Sequence, residues 1–156
     1  MEYTLFDKVW SDHVVTQQDD GADLLHIDRI FLHERTGSTA LITIDEGGRK
    51  IKNPSHVFCT MDHIVDTFPG RTDQTTMPVG SEFIKVTRDL SLKGNITMFD
   101  LGDERQGIWH VVSPEQGIAL PGCTIICPES HTWTLGGLGA LAIGVGSSEC
   151  EHALVT

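Results

Sequence analysis

Three of the eight histidines sit where they could work as acids or bases. They are His63 in Met61-Asp62-His63, His110 in Gly107-Ile108-Trp109-His110, and His131 in Glu129-Ser130-His131. An imidazole titrates near neutral pH, and a carboxylate bonded to it fixes its tautomer and raises its pKa. Asp62 directly precedes His63, and Glu129 lies two positions before His131, so two of the three imidazoles bring a carboxylate with them. Such pairs can pass protons to and from a bound molecule at pH 7. The same residues also admit a structural reading. Asp62 could cap a turn or a helix, Glu129 could be solvated, and a histidine at a strand end could serve only as hydrogen-bonded packing.

These groups need elements to bring them together. Residues 57–60 and 123–127 read as short buried strands, the second stopped by Pro128. His63 and His131 follow them directly. Ligands of open parallel sheets bind beyond the carboxyl ends of the strands, so residues just past two strands can meet in one crevice. Elsewhere, residues 3–13 read as a helix with Leu5, Val9 and Phe6 inward, 24–32 as one strand, and 36–44 as a helix ended by Gly47-Gly48. Residues 66–80, with Pro69, Gly70, Pro78 and Gly80, read as a long loop. Ser81 is then expected to cap a helix that presents Phe83, Val86 and Leu90 and ends at Gly94. A strand over 96–99 and a helix over 147–154 follow. Residues 136–145 hold four glycines. They read as a small-residue helix in which Gly139 and Gly144 allow close backbone approach and whose N-terminus faces an anion. Apolar strands alternating with helices specify an α/β fold with a mainly parallel sheet.

With 156 residues the chain can bury one core, and its net charge is −11. That charge disfavours nucleic acid and anionic membranes as partners but leaves room for a small anion in a locally positive pocket. The apolar run 138–145 is too short to cross a bilayer, and the first residues lack the pattern of a signal peptide. The expected setting is the cytoplasm, with Cys59, Cys123, Cys127 and Cys150 as free thiols. Cys123 and Cys127, four apart on a strand, would stand about 13 Å from each other, too far for one metal ion. A zinc hydrolase built on His63, His110 and His131 lacks ligand spacing. No metal ligand is therefore assigned. The glycine-rich run has no following lysine, so it is not a phosphate-binding loop.

Longer motifs occur in a fixed order. Met61-Asp62-His63 comes first, then the run from Gly107-Ile108-Trp109-His110 to Pro114-Glu115-Gln116-Gly117. Ser130-His131-Thr132 follows, and then Gly137 to Ser148 leading into Glu149-x-Glu151-His152. With these motifs the sequence resembles the aconitase superfamily of hydro-lyases. Thr4-Leu5-Phe6-Asp7-Lys8, His13-Val14-Val15, Leu24 to Arg29, Leu32-His33-Glu34 and the run Pro114 to Gly122 are most similar to the family of 3-isopropylmalate dehydratase large subunits. The likeness covers essentially the whole chain and corresponds to the first part of a much longer subunit.

The resemblance implies a three-layer α/β domain, with residues 1–156 as the N-terminal part of an aconitase-type iron–sulfur catalytic domain. The implied reaction is dehydration of a hydroxy acid and rehydration at the neighbouring carbon, interconverting 2- and 3-isopropylmalate in leucine biosynthesis. A sister hydratase acting on citraconate, methylmalate or homoaconitate is one alternative; a non-catalytic remnant that binds a partner or a small acid is another. The implied cofactor is a [4Fe-4S] cluster whose open iron binds substrate oxygens as a Lewis acid. Its cysteines, two of them a Cys-x-x-Cys pair, lie downstream in the family and have no counterpart here, so the chain alone is expected to be inactive. The implied partners are the dehydratase small subunit and a small hydroxy-dicarboxylic acid. By position, Asp62 and His63 form a pair that protonates the departing hydroxyl, with His110 a second imidazole beside it. Glu129 is the carboxylate of the His131 motif, Ser130 and His131 contact the substrate or cluster-bound water, and His33 lines the same wall. Two stretches depart from the family. Its Gly-Asp-Ser-His-Thr is Pro128-Glu129-Ser130-His131-Thr132 here, and its Thr-Ser-Pro-like stretch after His-Glu is Arg35-Thr36-Gly37-Ser38.

Overall fold

Helix α1 (Leu5–His13) opens the chain in a computed structural model that describes residues 2–156. A capping box starts it: Thr4 Oγ1 accepts the Asp7 N–H, and the Asp7 carboxylate accepts the Thr4 N–H. Of its three expected inward residues only Val9 is buried, while Leu5 and Phe6 are exposed. An antiparallel hairpin of β1 (Val14–Gln17) and β2 (Asp23–Leu25) follows. Trp10 Nε1 pins the helix to this hairpin by donating to Asp23 at 2.7 Å. The single strand expected over 24–32 is thus broken in two. Asp28 makes the break: its N–H donates to Thr124 Oγ1 at 2.8 Å, and its carboxylate accepts the Thr124 N–H at 2.9 Å.

The chain then alternates. Strand β3 (Arg29–His33) leads through α2 (Gly37–Glu46) to β4 (Val57–Thr60), and α3 (Gly80–Lys93) leads to β5 (Thr97–Phe99). After α4 (Trp109–Glu115) come β6 (Thr124–Cys127), a 3₁₀ turn over Thr132–Leu138, β7 (Leu141–Gly144) and α5 (Ser147–Val155). The five later strands form one parallel sheet in the order β5-β4-β3-β6-β7. Alternate side chains go to opposite faces. Ile30, Leu32, Val57, Cys59 and Ile126 pack with Ala40, Leu41 and Ile44 of α2, Leu90 of α3, and Cys150 and Leu154 of α5. Phe31, Ile125, Cys127 and Ala142 pack with Trp109 and Val112 of α4, Ile118, Ala119 and Leu135. Burial on both faces is why these strands read as unbroken apolar runs. The α/β class and the three layers stand as expected.

Two expected elements differ. Residues 136–145 form the end of the 3₁₀ turn and then β7, with no α-helix. Leu141 to Gly144 find a full ladder of partners in Thr124 to Cys127, which outweighs the helical pattern of small residues. Helix α3 starts at Gly80 after Val79 in a left-handed conformation (φ 59°), so Ser81 lies inside the first turn and does not cap it. Its buried stripe is Ile84, Thr87 and Ser91, one residue on from the expected face. Among the described residues no helix is long and apolar enough to cross a membrane.

The strand order positions the site. From β3 the chain builds outward through β4 and β5, then returns to β3's other side and builds outward through β6 and β7. The β3–β4 ladder runs to His33↔Thr60, whereas the β3–β6 ladder is limited to Arg29↔Ile125 and Ile30↔Ile126. Beyond those pairs β3 and β6 share no ladder, which leaves a crevice at the carboxyl ends where the order reverses.

Candidate active site

Every residue singled out from the sequence lies at that end of the sheet. His33 is the last residue of β3 and is almost fully buried. Asp62 and His63 follow β4; Glu129, Ser130 and His131 follow β6; His110 sits in the first turn of α4. Contacts join them into one chain of groups. The rings of His33 and His63 stack with centroids 3.7 Å apart. His63 Nδ1 lies 2.7 Å from Asp62 Oδ1, while Asp62 Oδ2 accepts the Trp109 N–H at 2.8 Å. Both sequence readings of Asp62 are therefore true together: one oxygen orients an imidazole and the other caps α4. Its side chain is 2% exposed, against 28% for His63. The hydrogen bond to Asp62 raises the His63 pKa, and partial burial only partly opposes it.

His33 is held in the opposite state. Burial, and then the neighbouring His63, push its pKa down to about 4. Its Nε2 lies 2.9 Å from Thr36 Oγ1 and 3.3 Å from Pro128 O. The Thr36 hydroxyl itself donates to Pro128 O, so the ring nitrogen is the remaining donor of this triangle. At Nδ1 the ring accepts the Arg35 N–H at 3.4 Å. His33 is thus a neutral imidazole with its proton on Nε2, stacked on a His63 that favours the cation. Thr36 and Pro128, one from each stretch that departs from the family pattern, are bonded to each other.

Glu129 spans the second half of the site. Oε1 is 2.8 Å from His131 Nδ1, and Oε2 accepts the His131 N–H at 2.7 Å. Oε2 also lies 3.2 Å from His110 Nε2, close enough for an ion pair but without hydrogen-bond alignment, which leaves that nitrogen unsatisfied. Burial pulls the Glu129 pKa up, yet the bonds from His131 and the charge of His110 outweigh it and hold the carboxylate below its ordinary value. Ser130 Oγ is 3.1 Å from His131 Nδ1, and the His131 side chain is 76% exposed. Gly144 lets the Glu129 turn approach: a Cβ there would lie 2.6 Å from Glu129 O, the close contact expected of this glycine.

Sequence reasoning missed Glu34. It is fully buried, and its carboxylate accepts backbone N–H groups from the Asp62–His63 turn. The available signal was a charged residue two positions after the apolar run Ile30-Phe31-Leu32. Ligand atoms of His33, Glu34, Asp62 and His63 all lie within 4.8 Å of one another. Those atoms are already engaged, Glu34 by main-chain amides and Asp62 by His63 and Trp109, so the group is bonded to itself and not arranged around an ion. Two cavities, of about 420 and 540 Å³, lie away from this crevice. The first is lined by the C-terminal ends of α2 and α3, and the second by Ile30, Val57 and Leu154, with Ile30 and Val57 at the amino-end side of the sheet.

Comparison with known proteins follows the same lines. A family model described as "Aconitase family (aconitate hydratase)" matches residues 7–156. The chain belongs to the aconitase family. It is 44% identical over 153 residues to the 3-isopropylmalate dehydratase large subunit 1 of Bradyrhizobium diazoefficiens. That alignment covers 98% of the chain and 32% of the relative, so the chain spans about a third of the length of this curated relative.

An aconitase-family domain raises the question of an iron–sulfur cluster, and the cysteines here do not fit one. Cys59, Cys127 and Cys150 are fully buried in the sheet–helix core. Burial pushes the Cys150 thiol up to about 12, and those of Cys59 and Cys127 well above the ordinary range. Cluster ligation needs thiolates, which such surroundings suppress. Cys123 is half-buried, its pKa is raised mainly by burial, and its sulfur accepts the Leu120 N–H.

Proposed function

We propose that the chain is the N-terminal part of a hydro-lyase large subunit that interconverts 2- and 3-isopropylmalate by dehydration and rehydration. One observation carries this reading: two histidine–carboxylate sets, Asp62–His63 with His33 and Glu129–His131 with His110, join at the reversal point of a parallel sheet. The printed name of the 44% identical relative supports it.

The chemistry follows from the protonation states. Dehydration breaks a C–O bond whose electron pair goes to oxygen, and hydroxide leaves poorly unless it takes up a proton. Protonated His63 gives the proton from Nε2 while Nδ1–H stays on Asp62, so the oxygen leaves as water and the ring becomes neutral. On rehydration, neutral His63 takes the proton back from the adding water. Neutral His33 presents a flat face that fixes the His63 plane without competing for its proton. Glu129 orients His131 and lies beside His110, so two imidazoles face the same opening as donors for a dicarboxylate substrate. Ser130 adds a hydroxyl beside His131. The C–H proton goes to a base that these residues do not include, and the small subunit is the proposed source. The [4Fe-4S] cluster implied by family membership belongs to cysteines outside these residues. The chain by itself is therefore expected not to turn over, and its proposed setting is the cytoplasm, in keeping with four free thiols.

A second reading within the same chemistry, a hydratase of citraconate, methylmalate or homoaconitate, is favoured by one feature. Thr36 and Pro128, bonded to each other against His33, both come from stretches that depart from the family pattern, as does Glu129. The test is to join the complete large subunit, cluster loaded, with its small partner and assay a panel of hydroxy-diacids. Isopropylmalate should turn over fastest. A preference for citraconate or homoaconitate transfers the assignment to the sister reaction, and a loaded enzyme that turns over none of them ends the hydro-lyase reading.

A further inference from the structure

His33 and Glu34 are adjacent, and together they grip His63 from two sides. The His33 ring stacks on the His63 ring, while Glu34 holds the His63 main chain. Oε2 of Glu34 accepts the Asp62 N–H at 3.0 Å; Oε1 accepts the His63 N–H at 2.8 Å and those of Ile64 and, at 3.4 Å, Val65. Successive amides converging on one anion set the backbone angles between them, so this turn has little freedom while the carboxylate is in place. Met61, Ile64 and Ile84 are buried in one apolar cluster beside it, which keeps water from replacing the anion. Thr87 Oγ1 ties the Glu34 carbonyl to α3 at 3.4 Å. The Asp62 orientation is passed on to α4 through the Trp109 N–H, and so to His110.

We propose that Glu34 is a positioning residue whose carboxylate holds the Asp62–His63 turn in the one geometry that stacks His63 on His33 and bonds it to Asp62. A buried carboxylate is costly unless hydrogen-bonded, and each amide left without it has no solvent to turn to. Glu34 contacts neither substrate nor cofactor in this role. Its catalytic meaning rests on the reading of His63 as the proton donor, but its geometry does not.

The test is proton NMR of this chain, with Glu34→Gln as the variant. Glutamine has the same shape but only one acceptor oxygen, and its NH₂ would face amide donors. In the wild type the His33 and His63 ring protons are expected to be shifted upfield by stacking, with ring-to-ring Overhauser contacts. In Glu34→Gln those contacts and shifts should be lost, while the Phe31–Trp109 contact, 5.3 Å between ring centroids, persists and reports an intact core. A folded variant that keeps the His33–His63 stack overturns the proposal. If Glu34→Gln does not fold, the wild-type amides of Asp62, His63 and Ile64 decide. Slow hydrogen exchange supports the anchor, and exchange at the rate of an open loop overturns it. Neither readout needs turnover, so an inactive complete enzyme with these signatures intact counts against the hydro-lyase reading alone.

Discussion

One methylene separates Glu129 from the aspartate of the family pattern, and in this fold it is used. The longer side chain reaches His131 with one oxygen and approaches His110 with the other. At this scale the division of labour among the imidazoles is testable. In the complete enzyme, His63→Ala or His110→Ala should each cut turnover by roughly 10²–10⁴-fold, the usual worth of a positioned acid or base. Rates like the wild type for either would remove that residue from the mechanism. The stacked pair also predicts a pH effect on stability. His33 is neutral when folded until about pH 4, whereas its ordinary pKa is 6.5. Between those values the unfolded chain binds the extra proton. Stability from this site is therefore complete above about pH 6.5 and lost as pH falls toward 4, by up to about 3 kcal/mol. His63, with its pKa raised, acts in the opposite sense: its contribution is present below 6.5 and lost as pH rises through the folded value. Denaturant midpoints measured from pH 7 to 4 should fall less steeply in His33→Gln than in the wild type. Parallel curves would show that His33 is not buried as a neutral ring.

Elements hold these groups through close backbone approach. Strand β7 passes so near the turn after β6 that only a glycine fits at residue 144. Gly144→Val would drive a side chain into Glu129 O, a backbone atom that can yield only if the whole turn moves. It should cost about 1–3 kcal/mol by overpacking and shift Glu129 relative to His110 and His131. An unfolding midpoint equal to the wild type's would mean that the turn is free to give way. The position was legible beforehand as a glycine needed for packing, although the element around it was not. A run of small residues suits a helix as well as it suits a strand between neighbours. What decides is the row of unpaired groups on β6, which no local pattern displays.

Across the whole molecule, the two ends of the sheet differ. The carboxyl end carries the histidine rim, and exposed apolar side chains accompany it: Ile108 and Val111 next to His110, Trp133 next to His131. Apolar side chains beside a polar cluster are what a covering surface would bury. The relative's greater length and the proposed small subunit supply the candidates. In a variant that keeps Trp133 as the only tryptophan, its emission should move to shorter wavelength when the complete large subunit and its small partner are assembled. Emission unchanged by assembly would mean that the rim stays open to water and that the partner docks elsewhere.

Much of this was readable without coordinates, because the signals are local. Strand β4 and the end of β6 follow from apolar runs bounded by turn residues, the loop before α3 from its prolines and glycines, all but Gly80 of the expected 66–80, and the Asp62–His63 pair from adjacency. Other features depend on chain brought from far away. Asp28 ends the hairpin because Thr124 completes its hydrogen bonds, four amides some thirty residues on converge on Glu34, and Pro128 accepts from Thr36 and from His33 at the end of β3. Residue types by themselves determined which groups could trade protons. Tertiary structure alone decided that they meet at one place, since only the return of β6 to the far side of β3 makes a crevice where a stacked imidazole pair and a bridging glutamate can meet.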